Sequence, residues 1–217
     1  MKEYDNVYET KNFFGEKADR LLINHYKKIK TGKKVLDIGI GQGRNAFFLV
    51  NKGYLVQGID PSKVAIDRLN EQIHQQNLNL FVFHSTFSEF KPEANTYDAI
   101  LIFGLIQILS EKQINLLAEK ISVCLKNGGL VFLTGFTKKE KTFMPKTKQW
   151  EKISEASFSD NQGNFRTFLN ASEAADYFKN FKTIHKWEGL GKKHHHGDGQ
   201  EEQHHYFELI LKLPLSI

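Results

Sequence analysis

Val35-Leu-Asp-Ile-Gly-Ile-Gly-Gln-Gly-Arg-Asn45 decides how the rest of this 217-residue chain is read. Val35 to Ile38 is a short apolar run, and Gly39, Gly41 and Gly43 follow at alternate positions where a strand becomes a helix. Glycines there allow a tight turn and let a ligand approach main-chain N–H groups. The dinucleotide fingerprint Gly-x-Gly-x-x-Gly is not matched, because Arg44 stands at its last position counted from Gly39. Asp37, a carboxylate at the end of the first strand, suits a ligand with a cationic amine better than a pyrophosphate. The next apolar run, Tyr54 to Ile59, ends in a second acid, Asp60. A carboxylate in that position can accept both hydrogen bonds of a ribose diol.

Outward from this turn, strand and helix patterns alternate. Arg44 to Lys52 presents Ala46, Phe47, Leu49 and Val50 as one apolar face, and Gly53 stops it. Asp60-Pro61-Ser62 opens a helix whose buried face is Ala65, Ile66, Leu69 and Ile73. Leu80 to Phe83 and Ala99 to Phe103 are further strands, the second apolar on both sides as in a covered parallel sheet. Ser110 and Gln113 form a capping box for a helix lined by Ile114, Leu117, Ala118, Ile121 and Leu125. Asn127-Gly128-Gly129 is expected to end it, before a strand over 130–134. Thr137 to Gln149 is lysine-rich and aperiodic, and reads as a loop or insertion. Asn170 to Glu173 starts a weaker helix leading to Phe178. Phe181 to Trp187 and Tyr206 to Leu213, with no helix between, read as a hairpin. The expected fold is α/β: a doubly wound, Rossmann-like, mostly parallel seven-stranded sheet with a C-terminal antiparallel hairpin and helices on both faces.

Composition sets the outer bounds. Hydrophobic residues make 40% of the chain and charged residues 25%, which excludes disorder and collagen-like repeats. The net charge of +5 is diluted by 25 acids and does not argue for nucleic acid. The lone Cys124 permits no intrachain disulfide and indicates a reducing compartment. Met1 to Glu16 lacks the apolar core of a secretory signal. The longest apolar stretch, Ala99 to Leu109, is broken by Gly104 and Gln107, well short of the ~20 residues of a membrane span. The expectation is a cytoplasmic protein, monomer or homodimer, with no membrane partner.

Asp37, the Gly39-x-Gly41-x-Gly43 turn and Asp60 together resemble the class I S-adenosylmethionine-dependent methyltransferases, over about residues 14–135. Gly41-Gln-Gly-Arg-Asn-Ala46, Tyr97-Asp98-Ala99-Ile100 and Phe14-Gly15 look like the small-molecule branch that includes the tellurite-resistance methyltransferases. The resemblance implies one methyltransferase domain over 1–217: an N-terminal helical lid or extension (1–31), a cofactor-binding core (32–136), and substrate-side loops with the closing hairpin (137–217). It implies S-adenosylmethionine as cofactor and S-adenosylhomocysteine as product. Asp37, Gly39 and Gly41 would surround the methionine and ribose, with Ile40 and Arg44 also among the cofactor-binding residues, Asp60 on the ribose hydroxyls and Pro61 or Ser62 against adenine. Thr86 aligns where the family carries an Asp or Asn toward the adenine amine. The backbone N–H of Phe87 would compensate, and Ile102 and Phe103 would wall the sulfonium. The implied reaction is methyl transfer to a small molecule, a soft or anionic nucleophile being favoured. The rivals are a non-catalytic cofactor- or metal-binding module and an RNA methyltransferase that uses the Lys138 to Lys152 cluster. Phe103-Gly-Leu-Ile-Gln107 stands where base and amide methylation would place Asn-Pro-Pro-Tyr, which weakens nucleic acid. Tyr8, Phe13 and Phe14 either fold over the cofactor or pack on the first helix.

Six of nine histidines lie between His185 and His205. Three readings of their loop stay open: gating or catalysis, with His194, His195 and His196 as candidates; a metal site using His with Asp198, Glu201 or Glu202; and a solvated polar loop. No spacing such as His-x-x-x-His appears, so no metal ligands are assigned. His25 and His84 read as structural residues, and Cys124 as core.

Overall fold

The computed structural model describes residues 2–29, 33–197 and 199–215. Two helices precede the glycine turn: α1 (Lys2–Glu9) and α2 (Arg20–His25), the latter capped by Asp19. Strand–helix alternation then runs β1 (Lys34–Ile38), α3 (Arg44–Val50), β2 (Leu55–Asp60), α4 (Lys63–Gln76), β3 (Leu80–His84) and β4 (Tyr97–Ile102). It continues through α5 (Glu111–Cys124) into β5 (Leu125–Phe136). After α6 (Phe143–Gln149), three short strands follow: β6 (Glu151–Lys152), β7 (Ser157–Ser159) and β8 (Phe165–Thr167). The chain closes with α7 (Ala171–Asp176), β9 (Lys182–Leu190) and β10 (His205–Lys212).

The main sheet has seven strands in the order β3-β2-β1-β4-β5-β10-β9. The first five are mutually parallel, and β10 runs antiparallel to both neighbours. Side chains alternate across it. Leu36, Ile100, Val131 and Leu209 pack on the face covered by α5 and α7, whereas Val35, Leu101, Phe132 and Ile210 pack on the face covered by α2, α3 and α4. This is the doubly wound mixed sheet expected from sequence. Capping follows the sequence closely: Ser110 with Gln113, and Asn170 with Glu173, each form a complete capping box.

Two boundaries differ from expectation. Helix α5 ends at Cys124, not at Asn127-Gly128-Gly129, and Leu125 already has extended backbone. Leu125 pairs with Tyr97 of β4, so strand pairing captures it before the glycines are reached. The register then jumps to Ala99 opposite Leu130, with Gly128 at φ +79° inside the irregularity. The second difference is the lysine-rich segment, which holds α6 and leads into a separate antiparallel sheet in the order β6-β7-β8. Its anchor is aromatic: Phe143 lies edge-on to Phe158 and Phe168, with centroids 6.1 and 5.2 Å away. Strands of two or three residues are too short to show a period.

Candidate functional site: an acidic glycine cradle and a histidine ribbon

The carboxyl ends of β1 to β4 place most of the expected residues on one edge of the sheet, where open α/β sheets hold ligands. Asp37, next to last in β1, is 2% exposed, and its Oδ2 has no hydrogen-bond partner among the described residues. Burial, then the negative charge of Asp60, pushes the Asp37 carboxyl up to about 7. Asp60 ends β2. Its Oδ2 accepts from the Gly41 N–H at 2.9 Å and its Oδ1 from the Ser62 N–H at 2.8 Å. Burial raises its pKa as well, against those two backbone bonds. Gly41 has φ +53°, and a Cβ there would lie 2.8 Å from the Tyr8 hydroxyl, so conformation and space both call for glycine.

Tyr8 comes from α1, so the N-terminal segment lies over the glycine turn. The Gln42 side chain accepts from the Phe13 N–H and donates to the Thr10 carbonyl. Arg44 donates to the carbonyls of Phe14 and Lys17, and Asn45 accepts from the Asp19 N–H. Arg68 of α4 donates to the carbonyls of Tyr8 and Glu9, closing the end of α1. Tyr8 is 6% exposed; burial first, then the charge of Asp60, raises its pKa. Gln42 and Asn45 lie in the quoted glycine motif but, like Arg68, have no role legible in the sequence, because polar side chains that hold a loop carry no periodic signal.

The other expected cofactor residues divide. Ile40 turns its side chain into the core against Gly58, and both Gly39 and Ile40 donate their N–H to the Ile59 carbonyl. Leu105, which the sequence did not flag, lies nearest Gly39. The Pro61 carbonyl accepts from His84 Nε2 at 2.9 Å, which gives that histidine its structural role. Thr86 is engaged in a reciprocal cap: its hydroxyl donates to Glu89 Oε2 at 2.7 Å and accepts from the Glu89 N–H. Phe87 packs against the core on the α5 side, and Phe103 is half-buried on the α3 side. Cys124 is buried, and burial pushes its thiol up to about 11.

The histidine loop joins β9 to β10 on the same edge as the cradle. His194 and Glu202 face each other in an antiparallel bridge, with both backbone hydrogen bonds formed. His194 Nε2 lies 3.2 Å from His196 Nε2, and His204 Nε2 lies 3.1 Å from Glu202 Oε2. His195 stands apart, exposed, with Nδ1 against the Gly199 carbonyl. Asp198 falls outside the described residues, and Glu201 pairs with Lys193 at 2.7 Å. Burial lowers the His196 pKa, and neighbouring His194 lowers it further. Glu140, with its side chain fully buried, accepts from His204 Nδ1 at 3.1 Å and from the His205 N–H at 2.8 Å. Burial alone would raise the Glu140 carboxyl, but those hydrogen bonds hold it below its ordinary value. His196 stacks on Phe13, with centroids 5.7 Å apart, and meets Phe14 edge-on, so the loop touches the N-terminal segment that covers the cradle. The lysine cluster is partly neutralised, with Lys138 on Glu173 and Lys152 on Glu155.

Residues 35–129, which hold the cradle, match the model of a methyltransferase domain. The chain is 29% identical over 121 residues to a probable (S)-tetrahydroprotoberberine N-methyltransferase of Papaver bracteatum, covering 54% of this chain and 33% of that protein. It is 23% identical over 190 residues to the probable S-adenosyl-L-methionine-dependent methyltransferase TehB of Haemophilus influenzae, covering 88% of this chain and 61% of that one. It therefore spans between a third and about three-fifths of these curated relatives. A crystal structure of a SAM-dependent methyltransferase from Methanosarcina mazei shares the fold, with a TM-score of 0.73 and 18% identity over 92% of this chain and all of that one. Cradle, sheet order and family model point the same way: residues 35–129 are similar to a methyltransferase domain, set on the fold of the class I S-adenosylmethionine-dependent methyltransferases.

Proposed function

We propose that this chain binds S-adenosylmethionine in the Asp37–Asp60 cradle and methylates a small molecule through a soft or anionic nucleophile. The carrying observation is the unpartnered, buried Asp37 carboxylate beside the glycine turn. A buried carboxylate without a partner is unfavourable by a few kcal/mol, and the cofactor's ammonium group would satisfy it. Gly41 admits the ligand where a Cβ would not fit. Asp60 retains lone pairs for ribose hydroxyls after accepting its two backbone bonds. Gly39, Pro61 and Thr86 lie along the same edge, as do Phe87 and Phe103, and Arg44 and Ile40 hold the turn's shape. When bound, the cofactor supplies an electrophilic methyl group on its sulfonium. The chain's residues bind and orient it, and α1 with Phe13 and Phe14 shields the cradle from water.

The small-molecule reading is supported by the Papaver relative, which is named for N-methylation of a tetrahydroprotoberberine. It is also supported by the partial neutralisation of the lysine cluster, which leaves less charge for a phosphate backbone. Calorimetric titration with S-adenosylmethionine and S-adenosylhomocysteine tests the reading. Wild type should bind at micromolar concentration and Asp60→Ala should not. No binding by wild type refutes it. Acceptor screening then begins with chalcogen anions, thiols and small heterocycles.

A further inference from the structure

The loop between β9 and β10 carries a second constellation, outside the cradle. His194 and Glu202 are directly opposed across an antiparallel bridge, so they project from the same face of the ribbon. The bend at His196 brings its Nε2 to 3.2 Å from His194 Nε2, and His204 Nε2 lies 3.1 Å from Glu202 Oε2 on the other arm. Three imidazoles and one carboxylate therefore converge, and ligand atoms of the three histidines lie within 4.8 Å of one another. The spacing is His-x-His paired with Glu-x-His across the bridge, not the helical His-x-x-x-His.

We infer that His194, His196, His204 and Glu202 form a binding site for one divalent ion of the zinc class. A tetrahedral zinc with bonds of about 2.0–2.1 Å sets its ligand atoms about 3.3 Å apart. The observed His194–His196 and His204–Glu202 separations are 3.2 and 3.1 Å, and His196 Nε2 lies 3.9 Å from Glu202 Oε2. Metal-binding histidines commonly donate their second ring N–H to a carboxylate or carbonyl, which leaves the other nitrogen as the ligand. Here His204 Nδ1 donates to the buried Glu140, and His194 Nδ1 lies 3.1 Å from the Lys192 carbonyl. Both Nε2 atoms are thus turned into the cluster. The donor set, three imidazoles and a carboxylate, selects a borderline transition ion over calcium or magnesium. Through the His196 stack on Phe13, a bound ion would fix the loop against the N-terminal segment.

The test uses the full chain without a polyhistidine tag, stripped of metal by a chelator. Zinc is titrated against a chromophoric competitor, and cobalt is added in parallel. The expected result is one zinc per chain and a visible cobalt spectrum of four-coordinate type. His196→Asn and His204→Asn should each weaken zinc binding by about 100-fold or more. Glu140→Ala, which removes the carboxylate that orients His204 and the acceptor of the His205 N–H but no proposed ligand, should weaken it by about 10- to 100-fold. His195→Asn, on the other face, should bind as wild type does. Absence of stoichiometric zinc in wild type overturns the inference, as does equal binding by the His196 and His204 variants. That result would leave a cluster held by hydrogen bonds alone. Should a variant fail to fold, wild-type stoichiometry and the cobalt spectrum decide.

Discussion

Asp37→Asn should make the empty protein more stable at alkaline pH and worse at holding its ligand. The Asp37 carboxyl has an ordinary value of 3.8 and is pushed up to about 7 by burial and by Asp60. A raised carboxyl means that the folded chain binds the proton more tightly than the unfolded one. Stability from this group is therefore complete at acid pH and is lost as pH rises from about 4 to about 7. The full difference, (7 − 3.8) at 1.36 kcal/mol for each pH unit, is on the order of 4 kcal/mol. Between pH 5 and pH 8 the wild type should lose about 2.5 kcal/mol that the asparagine variant keeps. For a chain of 217 residues this is about 5–10 °C in the relative melting temperature. Taking the difference between two pH values cancels the fixed penalty of burying an amide.

The assay is urea unfolding followed by circular dichroism, on both proteins, at pH 5, 6, 7 and 8. Parallel stability curves would refute the argument, since they would mean that Asp37 does not titrate in this range. The same variant should bind S-adenosylmethionine about 10- to 150-fold more weakly, the range of a charge-assisted hydrogen bond of about 1.5–3 kcal/mol. Wild-type affinity should fall toward tenfold for each pH unit below about 7, and the variant should lack that slope. Stability gained where binding is lost is the signature of a site strained in its empty state.

Two further outcomes follow from packing. Gly58→Ala puts a Cβ 2.2 Å from Ile40 Cδ1, so the glycine turn must shift. The expected loss is about 1–3 kcal/mol in thermal unfolding together with weaker cofactor binding, and adding Ile40→Ala should relieve the Cδ1 clash and recover part of the binding. Cys124, buried and pushed up to about 11, should resist a thiol-specific chromogenic reagent in the native protein and react at once in urea. Rapid native labelling would mean that α5 opens locally.

What the sequence made legible follows from period. The strand–helix alternation, the Ser110–Gln113 capping box and the helix start at Asn170 rest on local patterns, and the sheet order and helix caps bear them out; the glycine turn, Asp37 and Asp60 lie at the strand ends where the same pattern puts them. What it hid rests on pairing across distance. Leu125 reads as the last residue of a helix stripe until Tyr97 is set beside it. The strands β6, β7 and β8 are too short to alternate, and the aromatic contacts of Phe143 that organise them span 15 and 25 residues. Thr86 looked available for a ligand until its cap with Glu89 was visible.

The histidine ribbon shows why the chosen period matters. His194 and His196 are two apart, as are Glu202 and His204, so a search at helical spacing passes over all four. The bridge between His194 and Glu202 supplies the register that joins the pairs, and the bend at His196 turns its ring back to that of His194. Glu140 carries no such signal, because it reaches His204 across 64 residues from the turn after β5. The ribbon joins the edge strand β9 to its neighbour β10, and the cradle is built at the ends of β1 and β2 toward the other side of the sheet. The residues that connect them, Phe13, Phe14 and Tyr8, all belong to the N-terminal segment. Ordering of the ribbon can therefore pass to the cradle through that segment, and it should register there as a change in how Tyr8 sits over Gly41.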